Sequence, residues 1–590
     1  MKTCTCLVLL LAATTFGCKK KGPDDKSSTG SAATTGSAGA TAAGSGAGSA
    51  PIKTAAGDAV AELPVVTDCP KSLGGAEAVA RTIKKECGPV IVTREYDING
   101  TLTLEAGAIL KFQDGADLEV GYNGTAKLIV KGTPTEPVTF TSAGDAAPGA
   151  WPGVQLYEHA ARSQIAGLVI ENAGGDKGAL YIDAPDVSLT NSTIRNAKDI
   201  GIRVDNRGGF AQMSGNTFDK AGKLALTIFP RAAGGLGANK FDDGGFVQIN
   251  PGRVEDSAKW QNPGAPYVLI GEIDVDGKNG RATLEIAAGT ELRGKDAEID
   301  IGYSSEATLV ISGTADKPVV FTTAEDKTPG AWHGIWIYGK GEGRITHAAI
   351  SYAGGGNDGR GAIMLDGGTA SITNVAFDQN KRGVTIKGEA TLKAFDQNKL
   401  SASPQPALDI IADQVGGLGA ANTFDKDAHI EISHGKVKRS ATWQPQGVPY
   451  EVTQELTLDD KAVLTLSPGV ELAFATDQQF SVGYSSDASL KALGTADKPI
   501  KMHPVRDDVT WKGLWFYDHA VGSEVSHLEI ASTAGEAAIH VENTANVKLS
   551  DVTGTKCAGA VVTSKCGATL TTSAIKAVST PAAELKPTCK

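Results

Sequence analysis

The sequence predicts an all-β fold, a right-handed parallel β-helix of roughly twenty rungs with small terminal caps. Three observations lead to this prediction. Short motifs recur at a spacing of 181 residues, the segments between them alternate apolar and polar residues over about four to six positions, and 72 glycines against 15 phenylalanines indicate a turn-rich β protein. Short strands that stack from one turn onto the next form a solenoid.

The repeat is marked by Gly-Tyr motifs and by tryptophans. Gly121-Tyr122, Gly302-Tyr303 and Gly483-Tyr484 lie 181 residues apart. Each copy also has a Trp with a Gly two residues later and a Tyr six residues later; these are Trp151, Trp332 and Trp511, with Tyr157, Tyr338 and Tyr517. The third copy stops after its first half, so the chain holds about two and a half units.

This spacing predicts seven segments along the chain. They are a lipoprotein signal peptide (1–17), a flexible Ser/Gly/Ala/Thr tether (18–62), an N-terminal cap with a short helix (63–89), two full units (90–259 and 260–442), a half-length unit (443–556) and a C-terminal cap (557–590).

Inside a unit, the predicted strands begin about 10 to 16 residues apart, as at residues 283–286, 298–301 and 308–311. Two or three such strands make a rung of roughly 20 to 25 residues, in which each strand pairs with the next rung. A propeller would need blades of about 40 residues with hairpins, and tandem β-sandwiches would need longer strands. The β-helix is therefore favoured.

The N-terminus predicts export. Lys2 and an apolar run over residues 7–13 are typical of a signal peptide, and Gly17-Cys18 resembles the lipobox of bacterial lipoproteins, which implies that Cys18 is acylated. An ordinary signal peptide with a chance Cys is the alternative. Residues 27–56 are almost entirely Ser, Thr, Gly and Ala, a composition that forms a flexible tether. Lys19 favours the outer membrane or cell surface.

Composition excludes several function classes. The net charge of −11 without basic clusters argues against nucleic acid, and past the N-terminus no apolar run approaches the roughly 18 residues of a membrane span. The predicted membrane contact is therefore the lipid anchor alone. The sequence does not predict an oligomeric state.

The cysteines after Cys18 lie near the two ends of the predicted solenoid. We expect disulfides Cys69–Cys87 and Cys557–Cys566, although Cys589 is an alternative partner for either cysteine of the second pair. A zinc knuckle needs a gap of about two to four residues, which neither pair has.

The N-terminal cap is expected to contain a short amphipathic helix. Ala76, Val79, Ile83 and Cys87 follow helical spacing, and Gly88 stands where a helix C-cap would be, with Pro89 after it. Such a helix would cover the unpaired edge of the first rung.

Motifs along the chain resemble bacterial right-handed parallel β-helix repeat proteins of the pectate-lyase-like superfamily. The clearest copies are residues 443–452, 464–472, 494–500, 511–514 and 525–530, and the resemblance covers essentially 90–552. It implies the fold, whereas function stays open because this fold hosts lyases, hydrolases, adhesins and inert rods.

The superfamily's hydrolases use clustered aspartates, a Gly-His-Gly and an Arg-x-Lys. This sequence has no Gly-His-Gly, and Arg382 and Lys387 have no Asp cluster that the sequence places beside them. Asn216 and Asn422, each two residues before a Phe, are interpreted as solenoid turns. The lyases need calcium, but the loops 276–280 and 357–360 are too generic to support a calcium site. No catalytic residue, cofactor or metal is predicted.

Repeated carboxylates and histidines are interpreted structurally. Asp117 and Glu119 correspond to Glu298 and Asp300 and then to Gln479 and Ser481, a pattern that a solvated acidic face explains. His347 and His527 occupy the place of Gly167, which favours a turn role.

The repeated aromatic residues are the candidate ligand-binding set: Trp151, Tyr157, Trp332, Tyr338, Trp511 and Tyr517. Flat apolar faces with polar edges suit sugar rings, and the alternative is that these rings fill a corner of the lumen. We therefore expect a non-enzymatic, surface-anchored rod that binds extracellular polysaccharide or an envelope component. A polysaccharide lyase or glycoside hydrolase acting on the outer face of the β-helix is the alternative, which would need a carboxylate or basic cluster with strongly perturbed pKa values.

Overall fold

Every strand of the protein pairs in parallel with a strand one turn away, which confirms the predicted parallel β-helix. The structure, a computed structural model, describes residues 63–356 and 359–585. They form about 21 turns. The predicted signal peptide, tether and Cys18 lie outside the described residues, as does Cys589. No helix in the described ranges is long and apolar enough to cross a membrane.

The strands stack into five columns, of which three are present at any level of the solenoid. Column 1 runs through all the turns. Its members are Val65–Val66, Ala80–Ile83, Thr101–Glu105, Lys127–Lys131, Gln164–Ala166, Val187–Thr190, Phe210–Ser214, the 3-10 helix Pro230–Gly235, Ala258–Trp260, Ala282–Ala287, Ala307–Ser312, the first parts of Gly341–Ser351 and Thr369–Asp378, Thr391–Asp396, the 3-10 helix Ala412–Gly417, Ala441–Trp443, Val463–Leu466, Ser489–Leu493 and the first parts of Ser523–Ala531, Asn546–Thr555 and Thr569–Val578.

Columns 2 and 3 complete the first third of the solenoid, and Ser72–Glu77 and Pro89–Ile98 bend through both. Column 2 continues with Ile109–Phe112, Val138–Ser142, Leu168–Glu171, Thr193–Ala197 and Thr217–Ala221. Column 3 continues with Leu118–Val120, Val154–Leu156, Leu180–Ile182, Ile200–Val204, Leu224–Ile228, Val247–Ile249, the first parts of Tyr267–Val275 and Glu291–Ile301, Val319–Thr323, the second parts of Gly341–Ser351 and Thr369–Asp378, Lys399–Leu400 and Thr423–Phe424.

Columns 4 and 5 begin where columns 2 and 3 end. Column 4 holds Gly252–Val254, the second parts of Tyr267–Val275 and Glu291–Ile301, Gly334–Tyr338, Ile363–Asp366, Val384–Lys387, Leu408–Ile411, Ile430–His434, Tyr450–Val452, Glu471–Phe474, Ile500–Pro504 and the second parts of Ser523–Ala531, Asn546–Thr555 and Thr569–Val578. Column 5 holds Lys436–Val437, Leu456–Leu458, Phe480–Val482, Leu514–Phe516, Ala537–Val541, Ala560–Ser564 and Ala582–Leu585.

Each 181-residue unit adds seven turns to column 1 and exchanges one of the other columns. The equivalent strands Lys127–Lys131, Ala307–Ser312 and Ser489–Leu493 all belong to column 1. Their neighbours Leu118–Val120, Glu291–Ile301 and Phe480–Val482 contribute to columns 3, 4 and 5 respectively. Equivalent residues therefore keep their place relative to column 1 alone.

Apolar side chains from all columns fill one continuous lumen. In Thr101–Glu105, for example, Leu102 and Leu104 are buried, while Thr101 and Thr103 are only partly buried and face outward. This alternation is the period-two pattern of the sequence.

Asparagines stack at one corner of the turns, which confirms the turn interpretation. The Asn216 side chain accepts a hydrogen bond from the Ser192 amide and donates to Asn239 Oδ1. Asn398 donates to Asn422 Oδ1 in the same manner. These amides satisfy backbone groups that a sharp corner takes out of the sheets.

The N-terminal cap helix is a wrong prediction. Residues 72–87 form strand Ser72–Glu77, strand Ala80–Ile83 and a single 3-10 turn, Lys85–Cys87. Both strands pair with the next turn, and this pairing outweighs the local helical spacing. The predicted disulfide Cys69–Cys87 is present.

The second disulfide prediction is also wrong. Cys557 is a free thiol, and its side chain is buried in the lumen. Cys566 is disulfide-bonded to a partner other than Cys557. A cysteine that points into the lumen cannot meet one at the surface, and spacing alone does not reveal this orientation.

The asparagine stack gives the first prediction. Asn398→Ala removes an acceptor for the Val375 amide and a donor to the Ile372 carbonyl, both inside the protein. We expect the free energy of unfolding to fall by roughly 2–4 kcal/mol because these buried groups stay unpaired. The loss is measured as a lower urea midpoint. The control Asn543→Ala, at an exposed asparagine, should leave the midpoint nearly unchanged; equal effects in both variants would contradict the prediction.

Candidate functional site

Three tyrosines protrude from the solenoid at equivalent positions. Tyr122, Tyr303 and Tyr484 expose 58%, 69% and 65% of their surface, and within the described ranges they are the only aromatic residues among the large exposed hydrophobic ones. Each lies two residues after the end of a strand and precedes a strand of column 1. The sequence shows these tyrosines only as markers of the repeat.

Each exposed tyrosine packs edge to face against a partly buried one. The ring centres are 4.9 Å apart in Tyr122–Tyr157, 5.0 Å in Tyr303–Tyr338 and 4.9 Å in Tyr484–Tyr517. This arrangement is the favourable geometry for aromatic pairs. We call these three contacts the tyrosine pairs.

A glycine before each exposed tyrosine makes the corner. Gly121, Gly302 and Gly483 have φ values of 74°, 71° and 67°, in the left-handed region. A Cβ on Gly302 would lie 2.2 Å from the Gly341 backbone nitrogen. The tyrosine can therefore follow only a glycine here.

Buried carboxylates accept hydrogen bonds from the backbone that follows the exposed tyrosine in the second and third units. In the second unit Asp276 Oδ1 accepts hydrogen bonds from the amides of Ser304 and Ser305, at 3.1 and 3.0 Å. Asp459 does the same for Ser485 and Ser486 in the third unit, at 3.0 and 3.2 Å. The loop 276–280 therefore begins with a residue that supports the tyrosine.

The three tyrosine pairs share one edge of the solenoid. Because seven turns of column 1 separate successive pairs, they lie about 34 Å apart at about 4.8 Å per turn. The repeated unit thus presents the same aromatic contact three times along one edge.

The tryptophans of the candidate set are core residues, so the ligand-binding prediction is wrong for them. Trp151, Trp332 and Trp511 expose no more than 1% of their surface. Trp151 stacks on Phe112 and Trp511 on Phe474, with ring centres 4.0 Å apart. A ring enclosed in this way has no face open to a ligand, whereas Tyr157, Tyr338 and Tyr517 remain partly exposed.

The repeated carboxylates have different hydrogen-bond partners in each unit. In the first, Asp117 accepts a hydrogen bond from Gln155 Nε2 at 2.8 Å, and Glu119 accepts one from the Tyr157 hydroxyl at 2.9 Å. Lys177 donates to the same hydroxyl at 2.7 Å. Partial burial, together with Glu119, still raises the pKa of Asp117 to about 6.

In the second unit the carboxylates crowd together. Glu272 and Glu298 are direct partners on adjacent strands, as are Asp274 and Asp300. Burial first, and then Glu298, raise the pKa of Asp300 to about 8. Asp300 exposes only 6% of its surface, so a solvated acidic face does not describe it.

Cationic and aromatic groups border this cluster. His333 Nδ1 lies 2.7 Å from Glu298 Oε2, a hydrogen bond that raises the pKa of the imidazole. The Arg360 guanidinium lies 3.8 Å from the centre of the Trp336 ring and covers it. Asn357 and Asp358 of the same loop lie outside the described residues.

The remaining basic and histidine candidates have structural partners. Arg382 pairs with Asp409 at 2.9 Å, and Lys387 with Asp366 at 3.4 Å. His347 and His527 have φ values of 50° and 48°, which supports their turn role. Neither set makes a constellation for hydrolysis in the part of the chain that the structure describes.

Residues 252–356 match the family model described as a pectate-lyase like beta helix domain. The matched segment includes the second tyrosine pair and the carboxylate cluster. This match and the parallel solenoid confirm the resemblance found in the sequence. No curated protein matches the chain. A domain of this kind fits a polysaccharide-related function.

The carboxylates of the first unit give a pH prediction. The pKa of Asp117 is about 6 in the folded protein and about 3.9 when unfolded. The folded state therefore holds the proton more tightly, and stability falls as pH rises from about 4 to 6, by less than about 1.4 kcal/mol per unit because the group is partly solvated.

Asp117→Asn should abolish this part of the pH dependence in urea unfolding measured between pH 4 and 7. The exposed Asp497→Asn should leave the dependence as in the unmodified protein. A parallel pH profile for Asp117→Asn and the unmodified protein would contradict the assignment.

Proposed function

We propose that this chain, a parallel β-solenoid with a pectate-lyase-like β-helix segment, binds polysaccharide through the three tyrosine pairs along the edge of column 1. The observation that carries the proposal is the exposure of Tyr122, Tyr303 and Tyr484 at equivalent places. Exposed aromatic rings cost solvation free energy, and their placement at glycine corners in all three units argues for a binding role.

The geometry of a tyrosine pair suits a sugar ring. The outer tyrosine offers an apolar face and a hydroxyl, a combination that matches the faces and edges of a pyranose. In the first and third pairs the inner tyrosine is held by hydrogen bonds, such as the one from Gln479 Nε2 to the Tyr517 hydroxyl at 2.9 Å. A pre-positioned pair loses little side-chain entropy when a ligand binds.

Repetition favours a polymeric ligand. A single tyrosine pair is a weak site. A polysaccharide that contacts two or three pairs about 34 Å apart binds with a higher overall affinity, because the contacts after the first are intramolecular. The net charge of −11 and the carboxylates near the inner tyrosines repel polyanions. We therefore propose a neutral polysaccharide.

The structure also offers a reason to consider cleavage. The cluster around Asp300 has the raised pKa that a general acid needs. However, Asp300 and the neighbouring Trp336 expose 6% and 1% of their surfaces. A sugar ring has no access to either residue, so we favour binding over cleavage.

We further propose that the rod is held at the bacterial envelope by acylation of Cys18. The signal sequence, the lipobox-like Gly17-Cys18 and the Ser/Gly/Ala/Thr tether support this part. A tethered rod with repeated weak sites would contact extracellular polysaccharide over a long distance.

The tyrosine pairs give a binding prediction. Replacing Tyr122, Tyr303 and Tyr484 together by Ser should weaken binding to the best neutral polysaccharide on a glycan array by about 100-fold or more, because every stacking contact is lost. Each single replacement should weaken it by roughly tenfold.

The matched control replaces Val463, Leu493 and Val578 by Ser, three exposed apolar residues that are not part of the pairs. It should bind as the unmodified chain does. Unchanged binding in the tyrosine variant, or release of oligosaccharides by the unmodified chain, would overturn the proposal.

The anchor gives a localisation prediction. Cys18→Ser should move the chain from the membrane fraction to the soluble exported fraction and remove incorporation of labelled fatty acid. Cys557→Ser, at the buried free thiol, is the control and should stay in the membrane fraction. Equal membrane association of both variants would contradict acylation at Cys18.

A further inference from the structure

Three carboxylates of the second unit converge on one point. Glu272, Glu298 and Asp300 each have an oxygen, and these oxygens all lie within 4.8 Å of one another. Parallel pairing forces this arrangement, because Glu272 and Glu298 are register partners and Asp300 is two residues along the same outer face. Like charges placed directly opposite each other destabilise a sheet.

Asp300 also has an oxygen that is buried without a partner. Asp300 exposes only 6% of its surface, and its Oδ1 has no hydrogen-bond partner. A buried carboxylate oxygen without a donor costs free energy comparable with a lost hydrogen bond or more. Burial first, and then the neighbouring carboxylates, raise the pKa of Asp300.

The positions equivalent to Glu298 and Asp300 have other partners or other residues in the first and third units, and in the first unit it is Asp97 whose Oδ1 is buried without a partner. In the first unit Gln155, Tyr157 and Lys177 supply donors around Asp117 and Glu119. In the third unit the residues are the uncharged Gln479 and Ser481, which hydrogen-bond to each other at 2.7 Å. The second unit keeps its carboxylates and leaves an oxygen of Asp300 unpaired.

The cationic groups near the cluster contact residues other than Asp300. Arg253 pairs with Asp274 at 3.3 Å, His333 contacts Glu298 and Asp296, and Arg360 lies over Trp336. None of them donates to Asp300 Oδ1. Glu272 lies at the surface, which provides a route for an ion to reach the cluster.

We propose that Glu272, Glu298 and Asp300 form a site for one hard divalent cation of the Ca²⁺ type. Ca²⁺ binds carboxylate oxygens at about 2.3–2.6 Å, so two oxygens bound to one ion are at most about 5.2 Å apart. The oxygens of these three carboxylates lie within that limit. Three carboxylates supply three to six oxygens, and water completes the coordination shell.

The site lies where column 4 begins. Glu272 belongs to the second strand of that column, Tyr267–Val275, and Glu298 and Asp300 to the third, Glu291–Ile301. A bound cation would link the first turns of the new column at the junction between two units. This role is independent of polysaccharide binding.

The test titrates CaCl₂ into the full chain after EDTA treatment, at pH 7.5, by calorimetry, with MgCl₂ and MnCl₂ for comparison. We expect single-site Ca²⁺ binding with a Kd of about 10⁻⁴–10⁻³ M and a higher melting temperature with Ca²⁺ than with EDTA. Asp300→Ser, which copies the third unit, and Glu272→Gln should each lose at least tenfold in affinity.

The matched control is Glu119→Gln in the first unit, which should bind Ca²⁺ as the unmodified chain does. Circular dichroism checks folding, and the surface variant Glu272→Gln carries the test if Asp300→Ser does not fold. The proposal would be overturned if the unmodified chain bound none of the three ions at concentrations up to 10 mM. A carboxylate cluster that only shares a proton would give this result. Ca²⁺ affinity in Glu272→Gln and a folded Asp300→Ser equal to that of the unmodified chain would also overturn the proposal. Polysaccharide binding measured in EDTA is a separate readout.

Discussion

Backbone pairing between successive turns is the constraint on which the rest of the structure depends. A strand inside a column is hydrogen-bonded in parallel to the strands one turn before and one turn after it, so its outward side chains have fixed neighbours in that column. The same pairing that builds the lumen therefore also brings polar residues together on the surface. Glu272 and Glu298 meet for this reason.

Column 1 explains how three separated motifs become one surface. The other columns are replaced at the unit junctions, near the 3-10 helices Pro230–Gly235 and Ala412–Gly417, while column 1 continues through both. Tyr122, Tyr303 and Tyr484 each precede a strand of column 1 and therefore stay on one edge. An exchange of column 1 itself would have placed the tyrosines on unrelated edges.

The fold was predictable because its signals are local and repeated. Alternation, corner residues and the 181-residue spacing predict a solenoid, and Asn216 and Asn422 take the predicted turn role. The cap helix was not predictable from spacing, because pairing of Ala80–Ile83 with the next turn decides its conformation. Nor could spacing show that Cys557 points into the lumen.

The candidate site was predictable only in part. The sequence identifies a repeated Trp and Tyr but does not say which side of the strand each one faces, and the structure buries the tryptophans. A glycine before Tyr122 was the available signal, since a left-handed corner turns the next side chain outward. The crowding at Asp300 depends on the register between Tyr267–Val275 and Glu291–Ile301, which no local pattern of the sequence reveals.

The central claim is that the three tyrosine pairs act together on one polymer. The most direct measurement is the dissociation constant for neutral oligosaccharides of increasing length, cut from one polysaccharide. Affinity should rise steeply once the ligand spans about 34 Å, the distance between neighbouring pairs at about 4.8 Å per turn. A chain with one intact pair should lack this rise. A smooth increase with length that is the same for one pair and for three would contradict the account.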